Sequence, residues 1–192
     1  MTSNEMAVED IEERLRADLP RELYEHIART RVRAVEIAIP CDVDPEKCGL
    51  AALLHDCCRH FSDPWLLNLA VEFCIVVSDV ERDKPVLLHG PVGAEMARRN
   101  FGVTDEEVLD AIRYHTTGRA GMSIVGQVVY LADKTEPGKQ AIVSKVRSRS
   151  ELRSAVLGQV DGLVLRCVKN AHPIHPLSIE MRNWLLEARA ED

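Results

Sequence analysis

The stretch DPEKCGLAALLHDCC, residues 44–58, decides how the rest of the chain is read. Asp44 is a good helix N-cap and Pro45 suits a first helical turn, so a helix begins here. Leu50, Leu53 and Leu54 then lead directly into the adjacent pair His55-Asp56, placing that pair inside an apolar helical run. Neighbouring helical positions differ by about 100° of rotation, so this imidazole and carboxylate can reach one ion from two sides. Alone, such a pair is more often a hydrogen-bonded structural feature than a pair of ligands.

Helical signals recur on both sides of it, and alternating runs of strand length are scarce, which predicts a nearly all-α chain. An acidic helix is expected within residues 1–20, and a helix from Arg21 to Ile39 stopped before Pro40. Asp63 and Pro64 open a helix through Trp65, Leu66, Leu69 and Phe73, and residues 76–85 read as an irregular connection. Gly90 and Pro91 start a helix that Asn100 and Gly102 end, with His89 just before it. Thr104 and Glu107 form a capping box for the next, which places Val108, Ile112 and His115 on one face before Gly118. Helices from Ser123 to Asp133, up to Lys169, and around Trp184 complete the chain, the last after the turn His172-Pro173-Ile174-His175-Pro176. Trp65 and Trp184 are expected in the core. No repeat or linker divides the 192 residues, so one domain is expected over 1–192.

Composition narrows the function classes. With 46% hydrophobic and 29% charged residues the chain is an ordinary globular one, and no apolar run approaches the roughly 18 residues of a membrane helix. Met1 to Pro20 lacks the apolar segment of a secretion signal, so a cytoplasmic address is expected. A net charge of −7 argues against broad nucleic-acid binding, and a phosphate ligand must be held locally by a few basic residues or a metal. The six cysteines form no C-x-x-C pair and are expected to be reduced packing groups.

The remaining histidines and carboxylates change the weight of the central pair. His26, His89, His115 and Asp133 stand near expected helix ends, separated from one another and from His55 by about one helix pair. A bundle can converge all six side chains on one interior site. Four histidines and two carboxylates suit iron, manganese, cobalt or zinc better than magnesium or calcium, and they exceed what one tetrahedral zinc needs. Two divalent ions are expected, bridged by Asp56. Such a pair can acidify a shared water, hold an attacked phosphate and neutralise charge on a leaving group.

The pattern of a His, a His-Asp pair and a later Asp resembles the HD-domain superfamily of metal-dependent phosphohydrolases, here His26, His55-Asp56 and Asp133. With Leu87-Leu88-His89-Gly90, Tyr114-His115-Thr116-Thr117-Gly118-Arg119, Met122-Ser123 and Ala132-Asp133-Lys134, the likeness extends from about residue 24 to residue 183 and is similar to the YqeK family. The resemblance implies an all-α HD-domain bundle around a two-metal site, with bound iron, that cleaves diadenosine tetraphosphate symmetrically to two ADP. It implies His26, His55, Asp56, His89, His115 and Asp133 as metal ligands. Arg59, Arg119, Lys134 and Lys139 become phosphate contacts, of which Arg59 and Lys134 are expected to bear on the rate, and Thr116, Gly118 and His175 become substrate contacts. The family tends to carry Lys where Arg59 stands and Arg where Lys139 stands, and Cys57-Cys58 after the HD pair is unusual. A small nucleotide is the expected partner, without nucleic acid or membrane, and a homodimer is allowed. Iron is the first expectation, manganese and cobalt the alternatives. The competing readings are another HD-type nucleotide hydrolase (a nucleotidase, or one acting on alarmones or deoxynucleoside triphosphates), and a nucleotide-binding regulator with little turnover.

Overall fold

A computed structural model describes residues 6–135 and 146–189 of the protein, with side chains as far as 187. Among these residues there is no strand, and ten α-helices follow in order: α1 (Val8–Asp18), α2 (Arg21–Ala38), α3 (Pro45–Leu54), α4 (Asp63–Glu72), α5 (Asp79–Asp83), α6 (His89–Asn100), α7 (Glu106–Tyr114), α8 (Ile124–Lys134), α9 (Arg149–Lys169) and α10 (Pro176–Arg189). No helix among them is long and apolar enough to cross a membrane.

The centre of the bundle is α3. Its cap is the expected one, the Asp44 side chain accepting from the N–H groups of Glu46 and Lys47 with Pro45 in the first turn. Cys48, Gly49 and Ala51 to Leu54 are all buried, so this helix has no polar face and must be surrounded. It packs against α2, α6, α7 and α8, while α9 covers α8 and α10 packs on α9. Ile27, Ile37, Leu53, Leu54, Leu66, Leu109, Ile112 and Leu131 are fully buried around it. Truncating a leucine of this kind to alanine costs about 2–5 kcal/mol.

Several local expectations are corrected. The helix ends at Leu54, so His55 and Asp56 stand at its C-terminal end and in the following turn, not inside a helical run. Residues 76–85 are not wholly irregular, because Ser78 and Glu81 form a capping box that starts α5. Asp105, not Thr104, caps α7, accepting from Glu107 and Val108, and its carboxylate also pairs with Lys47 at 2.8 Å. His89 is the first residue of α6 and not its predecessor. Trp65 is 52% exposed and contributes little to the core, whereas Trp184 packs against it. Cys41, Cys48, Cys57 and Cys58 are buried, Cys167 is half-buried and Cys74 is exposed, so the packing role fails for Cys74. Lys139, with part of the basic stretch after it, lies outside the described residues.

Candidate metal centre

Six side chains from five parts of the bundle meet at the end of α3. His26 projects from α2, His55 and Asp56 from the end of α3, His89 from the first turn of α6, His115 from the end of α7 and Asp133 from the last turn of α8. His55, Asp56, His89 and His115 are buried. The Asp56 carboxylate divides the set in two. Its Oδ2 lies 3.6 Å from Nε2 of both His26 and His55, and Oδ1 of Asp133 stands 3.2 Å from His26 and 3.6 Å from His55. Its Oδ1 faces the other way, 3.0 Å from Nε2 of His89 and 3.4 Å from that of His115. His26, His55 and Asp56 form one group able to hold a cation; Asp56, His89 and His115 form another.

The rings are aimed by the backbone. Nδ1 of His55 donates to the carbonyl of Ala52 at 2.6 Å, Nδ1 of His115 to Ile112 at 2.7 Å, and Nδ1 of His89 to Val86. A carbonyl only accepts, so each Nδ1 carries hydrogen and each Nε2 turns a lone pair inward. Nε2 of His89 and of His115 then stand 3.0 Å apart, and the buried Oδ1 of Asp56 beside them has no hydrogen-bond donor. Facing lone pairs against a carboxylate repel unless a cation sits among them, and a mixed nitrogen and oxygen set of this kind fits a divalent transition metal. Burial works to lower His55, yet Asp56 and Asp133 raise it to about 9, while burial takes His115 down to about 4. Burial also opposes ionisation of Asp56, and the histidines around it nevertheless hold it well below the usual carboxylate range.

Small residues allow this convergence. A Cβ on Gly90 would stand 2.6 Å from the carbonyl oxygen of Arg113, so glycine at the start of α6 lets His89 approach the end of α7. Gly118 has φ +66°, and a Cβ there would meet Sδ of Met181 at 1.9 Å. Its observed role is therefore to close the turn after His115 against α10. Ser178 completes that closure by donating to the carbonyl of Thr117 at 2.7 Å. Sequence reading gave Gly90 only a helix-start role, since the neighbour that excludes a side chain belongs to another helix.

The expected phosphate contacts are unevenly placed. Thr116 Oγ1 sits at the centre, 3.1 Å from Nε2 of His115 and 3.3 Å from that of His89. Lys134 adjoins it, its Nζ donating to the carbonyl of His115 at 2.7 Å and pairing with Asp133 at 3.3 Å; burial lowers its pKa against the pull of Asp133. Arg119 is held by Asp110 at 2.6 Å and lies over the Tyr114 ring. Arg59 is exposed, with no side-chain hydrogen bond or ion pair among the described residues. His175 stands apart from the cluster. Its Nδ1 accepts from the N–H of Leu177 at 3.3 Å, and its Nε2 faces Ser78 Oγ at 3.4 Å and Glu81 at 3.8 Å. Glu81 in turn accepts from the Ser78 N–H at 2.8 Å and hydroxyl at 2.7 Å. Sequence reading missed this network, although the S-x-x-E spacing of Ser78 and Glu81 was its signal.

Two clefts flank the cluster. One, of about 380 Å³, is lined by His26, Arg29, Val32, Arg33, Ala132 and Asp133 among others. The other, of about 320 Å³, is lined by Thr116, Leu87, Leu163, Pro173, Ile174 and His175 among others. His60, a full turn after Asp56, is exposed and stacks edge-on with Phe61.

The chain is similar to several known proteins. The HD domain model matches residues 23–138, which span all six clustered side chains. The chain is 33% identical to a symmetrical bis(5'-nucleosyl)-tetraphosphatase of Halalkalibacterium halodurans over 85% of its own length and 88% of that protein's. It is 31% identical to the protein of the same description from Bacillus subtilis, covering 90% of this chain and 94% of the relative. Among solved structures, it is similar to a Clostridium acetobutylicum protein described as a predicted HD superfamily hydrolase involved in NAD metabolism. The TM-score is 0.89 and the identity 28%, over 96% of this chain and all of that one.

Proposed function

The chain belongs to the HD-domain family, and on that premise we propose that it is a metal-dependent phosphohydrolase cleaving dinucleoside tetraphosphates symmetrically, diadenosine tetraphosphate to two ADP. The observation that carries this reading is the two-sided Asp56 carboxylate, with a three-residue group able to hold a cation on each side. We read the cluster as a site for two divalent ions, iron first and manganese or cobalt as alternatives. His26, His55, Asp56 and Asp133 would hold one ion, and Asp56, His89 and His115 the other. Bound ions would supply Lewis acidity toward phosphate oxygens and lower the pKa of a water molecule.

The protein's own groups then have distinct tasks. The carbonyls of Ala52, Val86 and Ile112 keep three histidines in the ligating tautomer without reorganisation. The Thr116 hydroxyl is placed to donate to an inner phosphate oxygen. Lys134 contributes positive charge beside Asp133 and Arg119 a guanidinium at the edge of the turn, both tuning the field where charge develops. Arg59 and Lys139 join them as outer phosphate contacts. Glu81 and Ser78 hold the His175 turn, which forms one wall of the 320 Å³ cleft and accommodates a nucleoside there, while Gly118, closing the turn after His115 against Met181, joins Thr116 as a substrate contact. One water is consumed, the central phosphoanhydride breaks, and two nucleoside diphosphates result. A soluble nucleotide substrate fits the cytoplasmic address expected from the sequence.

Chromatographic product analysis after incubation with diadenosine tetraphosphate and ferrous, manganous or cobaltous ion tests the reading. ADP as sole product is expected. ATP plus AMP would overturn the regiochemistry, and bound metal without turnover would overturn the substrate assignment.

A further inference from the structure

We infer that the α2 face carrying Arg29 and Arg33 receives the second nucleoside-diphosphate half of the substrate, an inference that rests on the tetraphosphatase reading. The metal cluster is elongated, because its two groups lie on opposite oxygens of Asp56. Each end borders a different cleft. The His89 and His115 end reaches, through Thr116, the 320 Å³ cleft walled by Leu87, Leu163, Pro173 and Ile174. The His26 and Asp133 end opens into the 380 Å³ cleft along α2.

A substrate cut at its centre must place its middle phosphoanhydride at the cluster and send one nucleotide half to each side. Both halves carry roughly one negative charge per phosphate, so each side needs cations. Lys134 is engaged by His115 and Asp133, and Arg119 by Asp110. On the α2 side, Arg29 is exposed and has no hydrogen-bond or ion-pair partner among the described residues. It follows His26 by three positions and Arg33 follows it by four, a spacing that stacks all three on one helix face. Arg33 pairs with Glu36 at 3.2 Å, which leaves the rest of its guanidinium for a phosphate. Between the two arginines in sequence, Val32 is 60% exposed and lines the same cleft, giving a ribose or base an apolar contact. The α2 cleft thus offers the pairing of available cation and apolar surface that a nucleoside diphosphate requires.

Calorimetric titration with a diadenosine tetraphosphate analogue carrying a non-hydrolysable central bridge tests the assignment, with the metal-loaded full chain. Arg29→Ala is expected to weaken binding about tenfold, the scale of one charge-assisted contact, and Arg29→Glu more. The KM for diadenosine tetraphosphate should rise in parallel. Arg21→Ala removes the same charge from an exposed position earlier in α2, and its affinity should equal that of the wild type. An Arg29→Ala variant with unchanged affinity and KM would overturn the subsite, as would an equal loss in Arg21→Ala, which would mean that net charge alone is at work. Wild-type protein that neither binds the analogue nor cleaves the tetraphosphate would instead overturn the function on which the subsite rests.

Discussion

Nζ of Lys134 donates a 2.7 Å hydrogen bond to the main-chain carbonyl of His115, joining the end of α8 to the end of α7 across the metal cluster. The same ammonium pairs with Asp133 and lies 3.8 Å from the centroid of the Tyr130 ring. These contacts give its charge an architectural duty beside the substrate contact proposed for it. Lys134→Ala is expected to lower stability by about 1–3 kcal/mol in chemical denaturation, because a half-buried carbonyl and a carboxylate both lose their donor. A variant as stable as the wild type would confine Lys134 to the substrate.

Asp56 touches both halves of the cluster, so its loss should not be partial. Asp56→Asn preserves shape while removing the bridging charge. Metal analysis by plasma mass spectrometry is expected to find two ions per chain in the wild type and no stoichiometric metal in the variant. Turnover should fall further than the roughly 10–100-fold typical of losing an outer partner of a ligand. A variant holding one ion firmly would show that the two groups fill independently.

Gly118 is constrained twice, by its left-handed backbone and by Met181. Gly118→Ala should cost about 1–2 kcal/mol for the backbone and about 1–3 more for the collision. Adding Met181→Ala should relieve the second part only, while opening a cavity of its own. Thermal denaturation of the single and double variants separates the two contributions, and a Gly118→Ala protein melting with the wild type would refute both.

The pair of Glu81 and His175 predicts a pH dependence of stability. Burial pushes Glu81 up, but His175 and the Ser78 donors outweigh it and hold the carboxyl below its ordinary value of 4.5. A carboxyl depressed in the folded state stabilises the protein above that ordinary value, and the stabilisation disappears as pH falls through the folded value. The stability gap between wild type and Glu81→Gln should be full near about pH 6 and shrink in acid. In kinetics the variant should raise KM for the nucleotide more than it lowers kcat, because the His175 turn loses its support. A gap independent of pH would exclude the ionised carboxylate as the source.

The helices were legible wherever end signals and apolar spacing agreed, as at Asp44-Pro45 or from Ser123 to Asp133. Capping at Asp105 could be mistaken for Thr104 because both side chains accept and stand one residue apart. Trp65 looked like core since its leucine neighbours share its helix, but burial is decided by what lies opposite, and nothing local records that. Five of the six clustered side chains were readable because they sit near a helix boundary, whereas His26, expected near a helix end, lies inside α2, in its second turn. What could not be read was their division between the two oxygens of Asp56, or the capture of Arg119 by Asp110, since both depend on how helices are rotated against one another.

The carbonyls that aim His55 and His115 lie in the last turns of α3 and α7, where intrahelical donors run out. The rings thus act as C-caps for their own helices, beside the ligand role proposed for them. Replacing either with cysteine or a carboxylate to redesign metal preference would uncap a buried helix in the same stroke. Metal choice at these two positions is tied to helix termination, and any engineered substitute would have to bring a new donor for the stranded carbonyl with it.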